Sequence, residues 1–237
     1  NFPQNSDIAY IRNNNIVSVT AASNSCQSLF FTGASPRLII NGNNQLSVAQ
    51  NIQVISSGSS NSIASIESSG SLSCRKLKIG SNTIVTQTNL TTTLNSTIGN
   101  FLVTDSIVFI GSNTTARRNN FRNNSLLNIN AGALNVGKGL FYIGQKSSTA
   151  TFAAAAGTSV VFSSPNPQFN LTSSDNRGTA SFAINFNSGS KQVFHSSVDQ
   201  DIPAKFPSSK TKTSAPVFSN LNYSRLSTSG GATKSIV

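Results

Sequence analysis

A short phrase recurs along this chain: two or three alternating apolar residues, then a break of Gly, Asn, Ser or Thr. Leu38-Ile39-Ile40-Asn41-Gly42-Asn43-Asn44-Gln45-Leu46-Ser47-Val48 is one instance, followed directly by Asn51-Ile52-Gln53-Val54-Ile55. Leu126-Leu127-Asn128-Ile129-Asn130-Ala131-Gly132-Ala133-Leu134-Asn135-Val136-Gly137 is another. Alternation at period two marks a strand with one buried face. Strands this short bury little apolar surface alone, so they need similar neighbours stacked above and below. The pattern predicts an all-β chain, a β-solenoid (parallel β-helix-like) of short stacked strands with Gly/Asn/Ser turns.

The composition fits that reading. Hydrophobic residues make up 37% and charged residues 10% of the 237 positions, both low for an ordinary globular domain. Disorder is excluded by the 15 Phe and by Ile, Val and Leu supplied steadily at strand spacing. No sustained apolar pattern at helical spacing occurs, and β-branched residues and Asn disfavour helix throughout. The Ala-rich stretch from Thr151 to Ala156 precedes Gly157 and Val160-Val161-Phe162, so it is expected to be a coil with small inward side chains. There is no Met, and no apolar segment is long enough to span a membrane. The sequence reads as a mature product with a leader removed, or as a fragment.

Strands are expected at Ile8–Ile11 and Ile16–Val19, joined by an Asn13-Asn14-Asn15 turn, then at Leu38–Ile40, Leu46–Val48, Ile52–Ile55 and Ile63–Ile66. The phrase Ser25-Cys26-Gln27-Ser28-Leu29 is echoed by Ser73-Cys74-Arg75-Lys76-Leu77. From Thr83 to Thr104 the alternation weakens into Thr and Asn, and Phe101–Val103 and Ile107–Ile110 restore it. A polar, basic loop near 113–124 interrupts the coils, which resume at Leu126 and run through Phe186; Pro165 and Pro167 should turn a corner. Residues 1–192 are therefore expected to be the solenoid stack. Residues 193–237, with a Pro, Ser and Lys-rich connector, are expected to be a linking segment and the start of a further module. The pattern stops at Ser235-Ile236-Val237 in mid-phrase, which predicts a polypeptide that continues.

Little catalytic chemistry is offered. The acids are Asp7, Glu67, Asp105, Asp175, Asp199 and Asp201, and only Asp199 and Asp201 share a neighbourhood with the single imidazole, His195. That trio reads as decoration of a turn before Pro203. No catalytic residue is assigned, and no cofactor is expected. No metal site is expected either: the turns lack the repeated Asp that calcium needs, and one His with two distant Cys cannot hold zinc. If a coil takes about 24 residues, Cys26 and Cys74 sit two coils apart. That is roughly 9.6 Å at the strand spacing, beyond the Cα separation of about 7 Å that a disulfide spans. Buried free thiols are the expectation. Six Asn-x-Ser/Thr triplets, at Asn89, Asn95, Asn113, Asn123, Asn170 and Asn222, arise readily in a chain so rich in these residues.

The net charge of +11 calls for anionic partners. Basic residues are densest at Arg75-Lys76-Lys78, Arg117-Arg118-Arg122 and Lys205-Lys210-Lys212. The loop carrying Arg117, Arg118, Phe121 and Arg122 is the candidate anion-binding element, since it joins a basic cluster to an aromatic ring.

Three segments together resemble the long repetitive surface proteins that Bacteroidota export by the type IX secretion pathway. The opening, Phe2-Pro3-Gln4-Asn5-Ser6-Asp7 through Val17-Ser18-Val19 to Cys26-Gln27-Ser28-Leu29, is similar to their module start, and Leu38–Val54 to the rungs that follow. Asp199-Gln200-Asp201-Ile202-Pro203, Phe218-Ser219-Asn220-Leu221 and Ser229-Gly230-Gly231-Ala232-Thr233-Lys234 resemble their linking phrases. The likeness covers about half of the chain; the terminal sorting domain of that group has no counterpart, and the chain is more basic and richer in Asn. The resemblance implies an extracellular, cell-surface adhesin-like protein, connected with surface motility. Its implied partners are the secretion and outer-membrane machinery, cell-surface or extracellular glycans and further copies of itself, with no small-molecule substrate and nucleic acid disfavoured. Asp105-Ser106-Ile107 also resembles the short O-glycosylation motif of that phylum, with Ser106 as acceptor.

The expected function is thus non-enzymatic: a structural and adhesive solenoid within a larger surface protein. The alternatives are a self-assembling extracellular fibre subunit and a pectate-lyase-like polysaccharide-degrading enzyme.

Overall fold

The computed structural model describes residues 3–56, 61–80, 90–111, 123–144, 148–173 and 180–196, with shorter pieces at 200–202, 206–207, 213–214, 221–225 and 234–236. Side chains are described in these ranges as far as Phe194, except those of Asn123 and Ser173. The described elements are all strands, and their pairing is parallel apart from a short antiparallel contact between Phe206–Pro207 and Thr213–Ser214. They form a β-solenoid with three faces per coil.

The first face stacks Ser23–Cys26, residues 45–48 and 71–74, Asn100–Val103, Ala133–Val136, Ser159–Phe162 and Lys191–Ser196. The second stacks Ile8–Arg12, Ser28–Thr32, residues 51–55 and 76–79, Ser106–Ile110, Gly139–Gly144 and Gln168–Ser173. The third is a seven-stranded sheet from Ile16–Val19 through Arg37–Ile40, Ser62–Glu67, Leu90–Ser96, Asn123–Ile129 and Thr149–Ala154 to Ser181–Phe186. Gln45–Ile55 and Ser71–Ile79 run unbroken through the first corner, so the first two faces join as one sheet.

Coil length is not fixed. A full turn takes 22 residues between Ser23 and Gln45 but 33 between Asn95 and Asn128. The extra residues enter at corners and loops, so each inward slot keeps its column. On the first face one column reads Cys26, Val48, Cys74, Val103, Val136, Phe162, Phe194. On the second, Leu29, Ile52, Leu77, Ile107, Leu140 and Phe169 stack. All of these are buried. Burial in columns is how short strands obtain a shared core: each side chain is sealed by the coils above and below rather than by its own strand.

The repeated Ser-Cys phrases occupy equivalent slots, with Ser47 and Val48 between them. Cys26 and Cys74 are buried free thiols two coils apart. Burial pushes the Cys26 thiol up to about 11 and that of Cys74 to about 12, the carboxylate of Asp7 adding to the effect on Cys26.

Two sequence expectations need correction. The weak Thr and Asn stretch contains a third-face strand, Leu90–Ser96, with Leu90, Thr92, Leu94 and Ser96 all inward. Its alternation is hidden because two inward slots hold hydroxyls. Thr92 stands in a column with Ser62 below and Ser125 above, and the Ser125 hydroxyl donates to the Ile110 carbonyl at 2.7 Å. The Ala-rich coil is also more mixed than expected. Ala150 and Ala154 point inward with Phe152 between them, leaving room for Phe182 and Phe186 on the next coil. Pro165 and Pro167 do lie in a corner, between Ser159–Phe162 and Gln168–Ser173. The strand Lys191–Ser196 spans the expected boundary at 192/193, and Leu221–Arg225 pairs with it.

Candidate functional site

A polar concavity lies on the corner between the first and second faces. Cys74 and Leu77 both turn inward, which leaves Arg75 and Lys76 facing out at the bend. The coil below carries one extra residue here, between Val48 and Asn51, so its backbone bulges and the corner opens. On the coil above, Thr104 and Asp105 fill the same bend, and the Asp105 amide donates to the Arg75 carbonyl at 2.9 Å. One coil higher the bend is Gly137-Lys138-Gly139, and the Gln168 amide donates to the Lys138 carbonyl at 2.8 Å. The glycines have a reason. A Cβ on Gly137 would strike the Thr104 carbonyl, and Gly139 combines φ +137° with the Gln168 carbonyl against it. Only Gly-Lys-Gly lets the chain pass that close and still send Lys138 outward.

Arg75, Asp105 and Lys138 therefore stand on three successive coils. Asp105 is the hub: its carboxylate meets Lys138 Nζ at 3.2 Å and Lys76 Nζ at 3.5 Å, and its side chain is only 12% exposed. Two lysines thus flank one shielded carboxylate, with Arg75 on the coil below lining the same corner. Beside them runs a groove of about 510 Å³, with Val48 and Cys74 in its floor and Ser47, Ser73 and Thr104 on its wall. The Ser73 hydroxyl donates to that of Ser47 at 3.2 Å, continuing a polar ladder along the first face. The site offers positive charge and hydroxyls. Its one carboxylate is held between two lysines, which is the wrong setting for a general base.

A second opening is apolar. Tyr10, Ile11, Val17, Val19, Leu29 and Leu46 line about 280 Å³ at the first coil, where Ile8, Tyr10, Ile16 and Val17 are exposed. Elsewhere among the described residues one further ion pair joins successive coils. Arg37 makes a two-pronged contact with Glu67 on the next coil of the third face. Those hydrogen bonds, with one from Ser65, hold the Glu67 carboxyl below its usual range.

The residues singled out from sequence fall differently. Arg117, Arg118, Phe121 and Arg122 lie outside the described residues. So do Asp199 and the side chains of His195 and Asp201, although the backbones of His195 and Asp201 sit in strands. Ser106 opens a second-face strand and is 6% exposed, so as a sugar acceptor it is covered in the folded coil. Among the described residues no group of His, Cys, Asp or Glu is arranged to hold a metal ion, and no helix is long and apolar enough to cross a membrane. The Arg75-Lys76-Lys78 cluster was visible in sequence, but its partners were not. Asp105 and Lys138 join it only because the two intervening coils have the lengths they have.

Set against protein-family models, curated proteins and solved structures, the chain matches none of them. The fold alone sets the class: an all-β, parallel β-solenoid.

Proposed function

We propose that this chain is a non-enzymatic adhesive and structural rod of the cell surface, part of a longer exported protein of the kind its sequence resembles. The observation that carries the reading is the outer surface. Ser, Thr and Asn recur there in hydrogen-bonded ladders, such as Asn128 to Asn95 at 2.9 Å and Thr149 to Asn124 at 2.9 Å, over a core continuous from coil to coil. Such a surface offers many weak polar contacts on a rigid support, which suits attachment by multiplicity. Export by the type IX route, surface motility and contact with extracellular glycans belong to the same reading.

The test is adhesion with chemistry monitored in parallel. The purified chain should coat cells or immobilised surface glycans and release no oligosaccharide detectable by mass spectrometry. Release of sugars would overturn the reading in favour of a polysaccharide-degrading enzyme, and exclusively internal localisation in its native host would overturn the surface role.

The apolar opening at the first coil favours a second reading, a self-assembling fibre subunit. Exposed Ile8, Tyr10, Ile16 and Val17 beside open strand edges are a surface on which another coil could stack. Electron microscopy of the purified chain separates the two: uniform, elongating filaments support the fibre, and dispersed particles support the rod.

A further inference from the structure

The corner groove has a chemistry more specific than general stickiness. We propose that it binds an acidic polysaccharide lying along the coil axis, with the anionic groups of alternate sugars on Arg75 and Lys138. The proposal deepens the adhesive reading and takes from it that the ligand is a glycan.

Three observations point this way. The backbones of Arg75 and Lys138 stand two coils apart, roughly 9.6 Å at the strand spacing, with Asp105 on the coil between them and the Lys138 ammonium 3.2 Å from its carboxylate. A pyranose ring advances a linear glycan by close to one strand spacing. Successive sugars therefore fall into step with successive coils, and anionic groups on alternate sugars meet the two cations. The sugar between them meets Asp105 and Thr104, and a shielded carboxylate beside a hydroxyl is a good receiver for sugar hydroxyls. The exposure is also right: Arg75 is exposed and the Lys138 side chain is 68% exposed, so both reach a chain lying in the groove.

The same observations disfavour nucleic acid. Sites for single strands combine stacking aromatic rings with an unbroken run of cations. The described residues lining this groove include no aromatic ring, and Asp105 would repel a phosphate placed midway between the cations.

The experiment is calorimetric titration of the full chain with four probes: polygalacturonate, heparin, a neutral glucan and single-stranded DNA. Both acidic glycans should bind, more weakly as salt rises, and the neutral glucan should not. R75A and K138A should each weaken glycan binding about tenfold, as expected for a lost charge-assisted hydrogen bond, and K191A, on the first face away from the groove, should leave it unchanged. Both corner side chains are exposed, so the variants should keep the circular dichroism spectrum of the parent.

Tighter binding of DNA than of either glycan, or glycan affinity unchanged in R75A/K138A, would overturn the proposal. So would no binding by the parent chain. The adhesive reading fails separately: glycan affinity unchanged in R75A/K138A sinks the corner site alone, whereas sugar release without adhesion sinks the rod while leaving the groove measurable on purified polysaccharide.

Discussion

The early and late coils solve one packing problem in two ways. In the early coils the inward columns are filled mainly by aliphatic side chains and thiols, such as Leu29, Ile52 and Leu77 or Cys26, Val48 and Cys74, with Phe31 a buried ring among them. In the late coils the same columns hold aromatic rings. Phe162 stacks on Phe194 at 5.2 Å and meets Phe169 edge-on at 5.1 Å, and Tyr142 and Phe109 both lean on Phe182. Size is traded between neighbouring slots. Phe152 is flanked by Ala150 and Ala154, and the hydroxyl column of Ser62, Thr92 and Ser125 ends at Ala150 and Phe182. A solenoid core is therefore specified by column, and a residue's size makes sense only beside those one coil away.

The largest expected effect follows from this in the late coils. Phe162→Ala would empty a slot shared with three other rings, and should cost about 3–5 kcal/mol, measured by urea unfolding. Overfilling should cost less. Ala154→Leu pushes against Phe186 and Phe152 and should destabilise by about 1–3 kcal/mol; a neutral result would show that the late coils have slack and that the trade of sizes is not required. In the early coils Ile52→Val should cost only about 0.5–1.5 kcal/mol, since its aliphatic neighbours can close in.

Alkaline pH should separate the halves in another way. The folded Cys26 and Cys74 thiols ionise near 11 and 12 against an ordinary value of 9.0, so between these limits the unfolded chain gives up protons that the folded chain keeps. Stability contributed by the thiols should be complete below about pH 9 and decline as pH rises toward 12. The Val48 column of a C26V/C74V chain should lose that decline, apart from the part due to Tyr142, which burial also raises to about 12. The smallest effect is expected on the surface. Arg37→Ala removes a half-exposed ion pair on the third face and should change stability by at most about 1 kcal/mol.

Much of the architecture was legible because period-two alternation survives in most strands. The two Ser-Cys phrases even announced their common slot, two coils apart. Leu90–Ser96 escaped notice for a physical reason: its inward slots include the hydroxyl residues Thr92, in register with Ser62 and Ser125, and Ser96, in register with Ile66 and Ile129, so no hydropathy pattern records its alternation. The candidate site was half legible. Arg75 and Lys76 advertise themselves as a cluster, but their assembly with Asp105 and Lys138 depends on coil lengths that vary with each corner. Gly137 and Gly139 were a usable clue, since two glycines around a lone lysine mark a place where backbones approach closely.

Stacking register is the claim on which columns, corner and groove all depend, and cysteine pairs on the exposed first face test it directly. In a chain carrying C26V and C74V, S47C/S73C places two thiols on adjacent coils, roughly 4.8 Å apart at the backbone, within the reach of a disulfide. S47C/L102C places them two coils apart, beyond that reach. Under mild oxidation the first pair should form an intramolecular disulfide, mapped by peptide mass spectrometry, and the second should remain reduced. Equal cross-linking of both pairs, or cross-linking of the second alone, would contradict the stacked-coil account.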